Sequence, residues 1–266
     1  KLESNPIVKS AEPNNILKIP EEPEETELPE ELPKNPILTP FSARAATPND
    51  PYYSEQYALQ KINAPAAWNI TTGSRYVKVG IIDSGIALHS DLNSNVTDGK
   101  DFVNITNSTL TTDDPSGHGT QIAGIIGAVT NNGIGVSGIN WNVTMVPLQT
   151  INASGKYDSS HTVQAINYAA NNNILILNHS IAMSYYSPEE TAINNYQGLI
   201  VCSAGNLGLN LDTYEKYPNY YGNSNVICVA SCNSNDSLAS DSNYSATKVD
   251  LAAPGVDIVT TNIGNG

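Results

Sequence analysis

Val77-Lys-Val-Gly-Ile-Ile-Asp-Ser-Gly85 decides the architecture. Its β-branched run to Ile82 predicts a buried strand, and the Asp-Ser-Gly after it turns the chain sharply at Asp83. Outward from that strand the same alternation recurs. Ala64-Pro-Ala-Ala-Trp68 predicts a short helix opened by proline. His118 to Val129 carries Ile122, Ile125 and Ile126 at helical spacing, and Thr162 to Ala170 places Val163, Ile166 and Ala170 on one helical face. Thr144–Leu148, Ile174–Leu177, Leu199–Cys202 and Val226–Ala230 are further short apolar runs. Strands alternating with helices imply βαβ units, hence a three-layer α/β domain with a mainly parallel sheet. Reactive groups in such sheets gather at the C-terminal strand ends, where Asp83 and the Ser203–Asn206 segment fall.

The chain of 266 residues is long enough for one such domain plus an extra segment. That segment is residues 1–46, with the run Pro20-Glu-Glu-Pro-Glu-Glu-Thr-Glu-Leu-Pro-Glu-Glu-Leu-Pro33. So few large apolar side chains do not offset ordering entropy, which predicts a disordered extension or a pro-segment remnant. The domain proper is then 47–266. A net charge of -14 argues against a nucleic-acid partner and favours cations, Ca²⁺ among them. Three cysteines exclude a disulfide scaffold, and an odd count leaves at least one thiol free; Cys202 reads as a small buried hydrophobe. No run of about 18 apolar residues spans a membrane. The start at Lys1, without a signal-peptide pattern, predicts a processed or engineered terminus from which any export signal has been removed, on a secreted or cell-surface protein. Nine Asn-X-Ser/Thr sequons, among them Asn69, Asn95, Asn104 and Asn142, follow mostly from a composition rich in those residues.

Three features carry chemistry. Asp83 alone serves equally well as a turn residue or a functional carboxylate. His118 stands between two glycines, which permit close backbone approach at the start of the helix that follows. A lone histidine there is more often structural or solvated, but the pair favours a catalytic role, because an aspartate holding a histidine tautomer is the base half of a serine-protease triad. Asn206, in Val201-Cys-Ser-Ala-Gly-Asn206, is either a turn residue or an amide donor to a developing oxyanion.

Asp83-Ser-Gly, Gly117-His-Gly-Thr120, Ala204-Gly-Asn206 and Ala253-Pro-Gly255 occur in the order of the subtilisin-like serine proteases, which residues 47–266 resemble. Thr47-Pro-Asn-Asp-Pro-Tyr52 and Gln60-Lys-Ile-Asn-Ala-Pro65 resemble the thermitase-like members of that family. The resemblance implies Asp83 as orienting acid, His118 as general base and acid, and Asn206 as oxyanion donor. It further implies that Ser180, Ile181, Ala182 and Met183, with Ser203, Ala204 and Gly205, bind an extended peptide or protein substrate by strand addition. Ala182 and Met183 stand where the family has glycines, so their side chains are expected to alter the pocket. Gln121 replaces a common histidine with little expected consequence.

The family nucleophile lies in Gly-Thr-Ser-Met-Ala, and no Gly-Thr-Ser occurs in this sequence; the last serine is Ser245. The expectation is therefore a serine endopeptidase shortened before its nucleophile, lacking the last helix and strands and inactive as it stands. A missing C-terminal fragment or its own pro-segment would be partners. A pseudoprotease that binds extended peptides is the alternative, and a structural surface protein a distant third. Finally, Val129-Thr-Asn-Asn-Gly-Ile-Gly-Val136 resembles the family's calcium loop. The resemblance implies Ca²⁺ held by carbonyls of Val129, Ile134 and Val136, the Asn132 side chain, and the carboxylates of Asp91 and Asp50.

Overall fold

The computed structural model describes residues 47–104 and 113–264. The chain divides into a unit Lys1–Arg44 and a unit Ala45–Gly266. The first unit, and with it the extension expected over 1–46, lies outside the described residues.

The second unit opens with two short helices, α1 (Tyr57–Lys61) and α2 (Ala64–Trp68), the latter begun by Pro65. Strands β1 (Gly73–Asp83) and β2 (Lys100–Asp101) precede α3 (His118–Gly127), β3 (Asn142–Gln149) and α4 (Ser159–Asn171). Then come β4 (Ile176–His179), α5 (Ser187–Asn195), β5 (Leu199–Ser203), β6 (Val226–Cys232) and β7 (Leu251–Pro254). One seven-stranded sheet runs in the order β2-β3-β1-β4-β5-β6-β7, every pair parallel. The winding order reverses beside β1, and a crevice opens at the C-terminal strand ends of such a switch point. Asp83, the last residue of β1, stands there.

Helices cover both faces, as a parallel sheet requires. Ala123 of α3 packs with Val79, Ile81, Val143 and Met145 on one face. On the other, Ala165, Ile166 and Ala169 of α4 and Ala192 and Ile193 of α5 pack on Leu148, Leu177 and Ile200. Burying side chains such as Ile81, Leu177 and Ile200, each fully enclosed, stabilises by about 1.5–3 kcal/mol apiece. The three-layer α/β reading therefore holds. Its helix over 118–129 ends two residues early, because the Val129 amide donates to the Asp91 carbonyl instead of continuing the turn. Strands β2 and β7 and helix α5 were not expected. In α5 only Ala192 and Ile193 are buried aliphatics, too few to betray a period, although Pro188, Glu189 and Glu190 mark its first turn.

Candidate active site

At the end of β1 the Asp83 carboxylate is fully buried, while the His118 ring at the first turn of α3 remains half-exposed. His118 Nδ1 lies 2.8 and 2.9 Å from the two Asp83 oxygens. That leaves Nε2 as the ring nitrogen free to exchange protons. The hydrogen bond to Asp83 raises the His118 pKa above that of a free imidazole, against the opposing effect of burial. Close approach of the two elements depends on Gly119: a Cβ there would sit 2.0 Å from the Gly85 carbonyl oxygen.

Two residues that the sequence did not single out hold this pair in place. Ser84 Oγ donates to Asp114 Oδ1 at 2.7 Å and stands 3.1 Å from Asp83 Oδ1, and it accepts from the Gly119 amide. Asp114 is buried and accepts from the amides of Gly117 and Thr120 and from the Thr120 hydroxyl. It thus fastens the first turn of α3 to the strand end carrying Asp83. A buried carboxylate accepting bonds from backbone amides keeps its geometry tightly.

Asn206 follows β5, exposed, in a turn whose Gly205 has φ +97°, a conformation that favours glycine. Buried Asn243, visible in the sequence only as a sequon, shapes that turn. It donates to the Ala204 carbonyl and accepts from the amides of Leu207 and Leu209. Ser203 and Gly205 are half-buried and Ala204 is buried. Ser180–Met183 leaves the end of β4 as an extended segment with Ile181 and Met183 turned inward and Ser180 and Ala182 half-exposed. Of the two residues expected to alter the pocket, Met183 has its side chain fully enclosed in the core. Ala182 is half-exposed, and Tyr157 donates its hydroxyl to the Ala182 carbonyl at 3.1 Å.

The subtilase family model, Peptidase_S8, matches residues 74–266. The chain belongs to the subtilase family. Thermitase of Thermoactinomyces vulgaris is 39% identical over 221 residues, covering 81% of this chain and 76% of the relative. A thermophilic serine proteinase of Bacillus sp. strain AK1 is 36% identical over 270 aligned residues; this subtilase spans 99% of its own length there but 59% of the relative's. Among solved structures, a protease from Pseudoalteromonas arctica PAMC 21717 superposes with a TM-score of 0.70 at 29% identity. The match covers 79% of this chain and 73% of that one. The subtilase is thus a subtilisin-type serine protease by family.

All six residues of the expected calcium loop fall into one network in the subtilase. Asp50 accepts from the amides of Asn131, Asn132 and Gly133 and from the Ser137 hydroxyl. Asp91 accepts from the Asn132 side chain and the Val136 amide, both at 2.8 Å, while its own carbonyl receives the Val129 amide. Asn132 Oδ1 in turn accepts from the Ile134 amide. Burial, with Asp50 a smaller contributor, pushes the Asp91 pKa up to about 6. Among the described residues no three His, Cys, Asp or Glu side chains gather to hold a metal, so carbonyls and the amide would supply the rest of any shell. All three cysteines are free and buried. The sequons at Asn95 and Asn243 are buried and engaged, so the folded domain does not present them to a glycosylating enzyme. No helix among the described residues is long and apolar enough to cross a membrane.

Proposed function

We propose that this chain carries the acid, base and oxyanion donor of a serine endopeptidase acting on extended peptide segments. The observation behind it is the buried Asp83 bonded to Nδ1 of a half-exposed His118. In this reading Asp83 fixes the tautomer, so that Nε2 takes the proton of a serine hydroxyl and later returns it to the leaving amine. Asn206 donates its amide to the oxyanion of the tetrahedral intermediate. The Ser180–Met183 segment, whose Met183 backbone already pairs with Tyr217, lies alongside the substrate and pairs with it through the groups left over, and Ser203, Ala204 and Gly205 wall its side-chain pocket. No Gly-Thr-Ser occurs in the sequence to mark the nucleophile. Ser245, the last serine, is held by its Oγ bond to Asp212, and Ser84 is buried behind Asp83. Amidolytic assay of the natural protein separates this reading from a peptide-binding pseudoprotease. Asn206→Ala is expected to lower kcat by about 10²–10³, the loss known for the equivalent donor of subtilisin, with KM little changed. An unchanged kcat would remove Asn206 from the mechanism.

Ca²⁺ is proposed to bind the 129–136 loop. Asp91 supplies a buried carboxylate whose charge is otherwise poorly accommodated, and a turn of the Asn132 amide would present its oxygen alongside. Chelation is expected to lower Tm by about 5–10 °C, as loss of a ligand held at some 100 times its Kd would. The sign of the pH effect follows from the raised Asp91 pKa. Its contribution is present below the ordinary carboxylate value of 3.8 and lost as pH rises through about 6. Chelated protein should therefore be more stable at pH 5 than at pH 8, and Ca²⁺ should narrow the gap; no gap, or one that Ca²⁺ leaves alone, counts against the site.

A secreted or cell-surface location is proposed with this activity. Residues 1–46, with their Pro/Glu-rich run from Pro20 to Pro33, are proposed as a pro-segment remnant. Mass spectrometry of the natural protein's mature N-terminus tests that assignment.

A further inference from the structure

A second buried polar constellation lies behind the substrate segment. His179, the last residue of β4, and Glu189, in the first turn of α5, are both fully buried. His179 Nε2 stands 3.3 Å from Glu189 Oε1, off the line a good hydrogen bond needs, and Nδ1 has no side-chain or backbone hydrogen-bond partner. The other Glu189 oxygen accepts from the Tyr221 hydroxyl at 2.9 Å. That same hydroxyl accepts from the Tyr186 amide, and the Tyr186 carbonyl, 3.0 Å away, competes with Glu189 for its single proton. Burial, and then the Glu189 charge, push the Tyr221 phenol well above its ordinary pKa, so it stays a donor.

The surroundings are apolar: Leu177, Ile181, Met183, Ile193 and Ile200 belong to the same core cluster. A buried ionisable pair in such a place stabilises no better than apolar residues of equal volume. Where such pairs are retained, one role open to them is to hold a single arrangement of the chain. Residues 180–186 lie outside the sheet ladder, and their regular pairing is a single bridge in which Met183 and Tyr217 exchange backbone bonds at 2.8 and 3.1 Å. The segment begins beside His179, which faces Glu189 at 3.3 Å, and ends at Tyr186, whose backbone is held by Tyr221, itself bonded to Glu189.

We propose that His179, Glu189 and Tyr221 are positioning residues that set the register and depth of the Ser180–Met183 segment against an extended peptide. This rests on the proposed role of that segment in substrate binding. The test measures, in the natural protein, Tm and the Kd for a fluorescein-labelled apolar hexapeptide with a reduced central amide. His179→Leu and Glu189→Gln are each expected to lower Tm and weaken the peptide about tenfold. The double variant H179L/E189L removes both polar partners, so its Tm should return near the wild-type value while Kd stays about tenfold raised. Tyr221→Phe, which loses only the hydroxyl, should raise Kd as well. If Kd recovered together with Tm in the double variant, or never moved, the positioning role would be overturned and the pair would be merely structural. A wild-type protein that binds no such peptide would instead remove the substrate role of the segment, and the proposal with it. Should a single variant fail to fold, the double variant decides.

Discussion

Replacing His118 by alanine is expected to lower kcat of the natural protein on an extended peptide by about a million-fold, the loss known for the histidine of subtilisin. The size follows from the absence of a substitute base among the described neighbours. Asp83 is fully buried, and Asp114 has both oxygens occupied by backbone amides and hydroxyls. What survives is the contribution of the oxyanion donor and of substrate binding, about 10³–10⁴ over water. KM should change little, since the imidazole acts on a proton and not on the bound chain. Steady-state kinetics with a chromogenic peptide checks both numbers, and a loss below about tenfold would assign the base elsewhere.

The next largest effect is expected from Asp83→Asn, about 10⁴ in kcat. The amide keeps the shape but donates where the carboxylate accepted, and so favours the wrong tautomer of His118. A second signature separates this from a simple loss of stability. The Asp83 hydrogen bond is the foremost reason that the His118 pKa is raised, and burial alone would lower it. Catalysis needs the neutral ring, so the wild-type rate falls on the acid side with a midpoint above the usual imidazole value of about 6.5. In the variant the residual rate should hold to lower pH, the acid limb moving down although the plateau drops. An acid limb that stays in place would mean that Asp83 does not govern the ring.

The sequence revealed the elements whose pattern is local. The strand ending at Asp83 is β-branched and central, buried on both faces at its C-terminal end, and His118 opens a helix with three isoleucines in register. Residues whose roles arise only in three dimensions stayed hidden. Asp114 sits in Asp-Asp-Pro, which reads as a turn, and reaches Ser84 across 30 positions. Asn243 reads as a sequon and yet organises the Asn206 turn from 34 to 39 residues away. Glu189 lies in Ser-Pro-Glu-Glu, the pattern of a solvated helix start, and is fully buried because His179 and Tyr221 meet it there. Met183 shows the converse: it was singled out because it stands at a family glycine position, and its side chain lies in the core with Ile181. Asn206 was legible through family resemblance, since an exposed asparagine in a glycine turn has no local mark of catalysis.

Everything proposed for the site turns on Asp83 and His118 activating a serine hydroxyl. Fluorophosphonate labelling of the natural protein, followed by peptide mapping, decides the point. One labelled serine is expected, outside this sequence, with labelling strongly slowed by His118→Ala. A natural protein that takes no label, or a label found on a serine between Ser4 and Ser245, would refute that role for the pair.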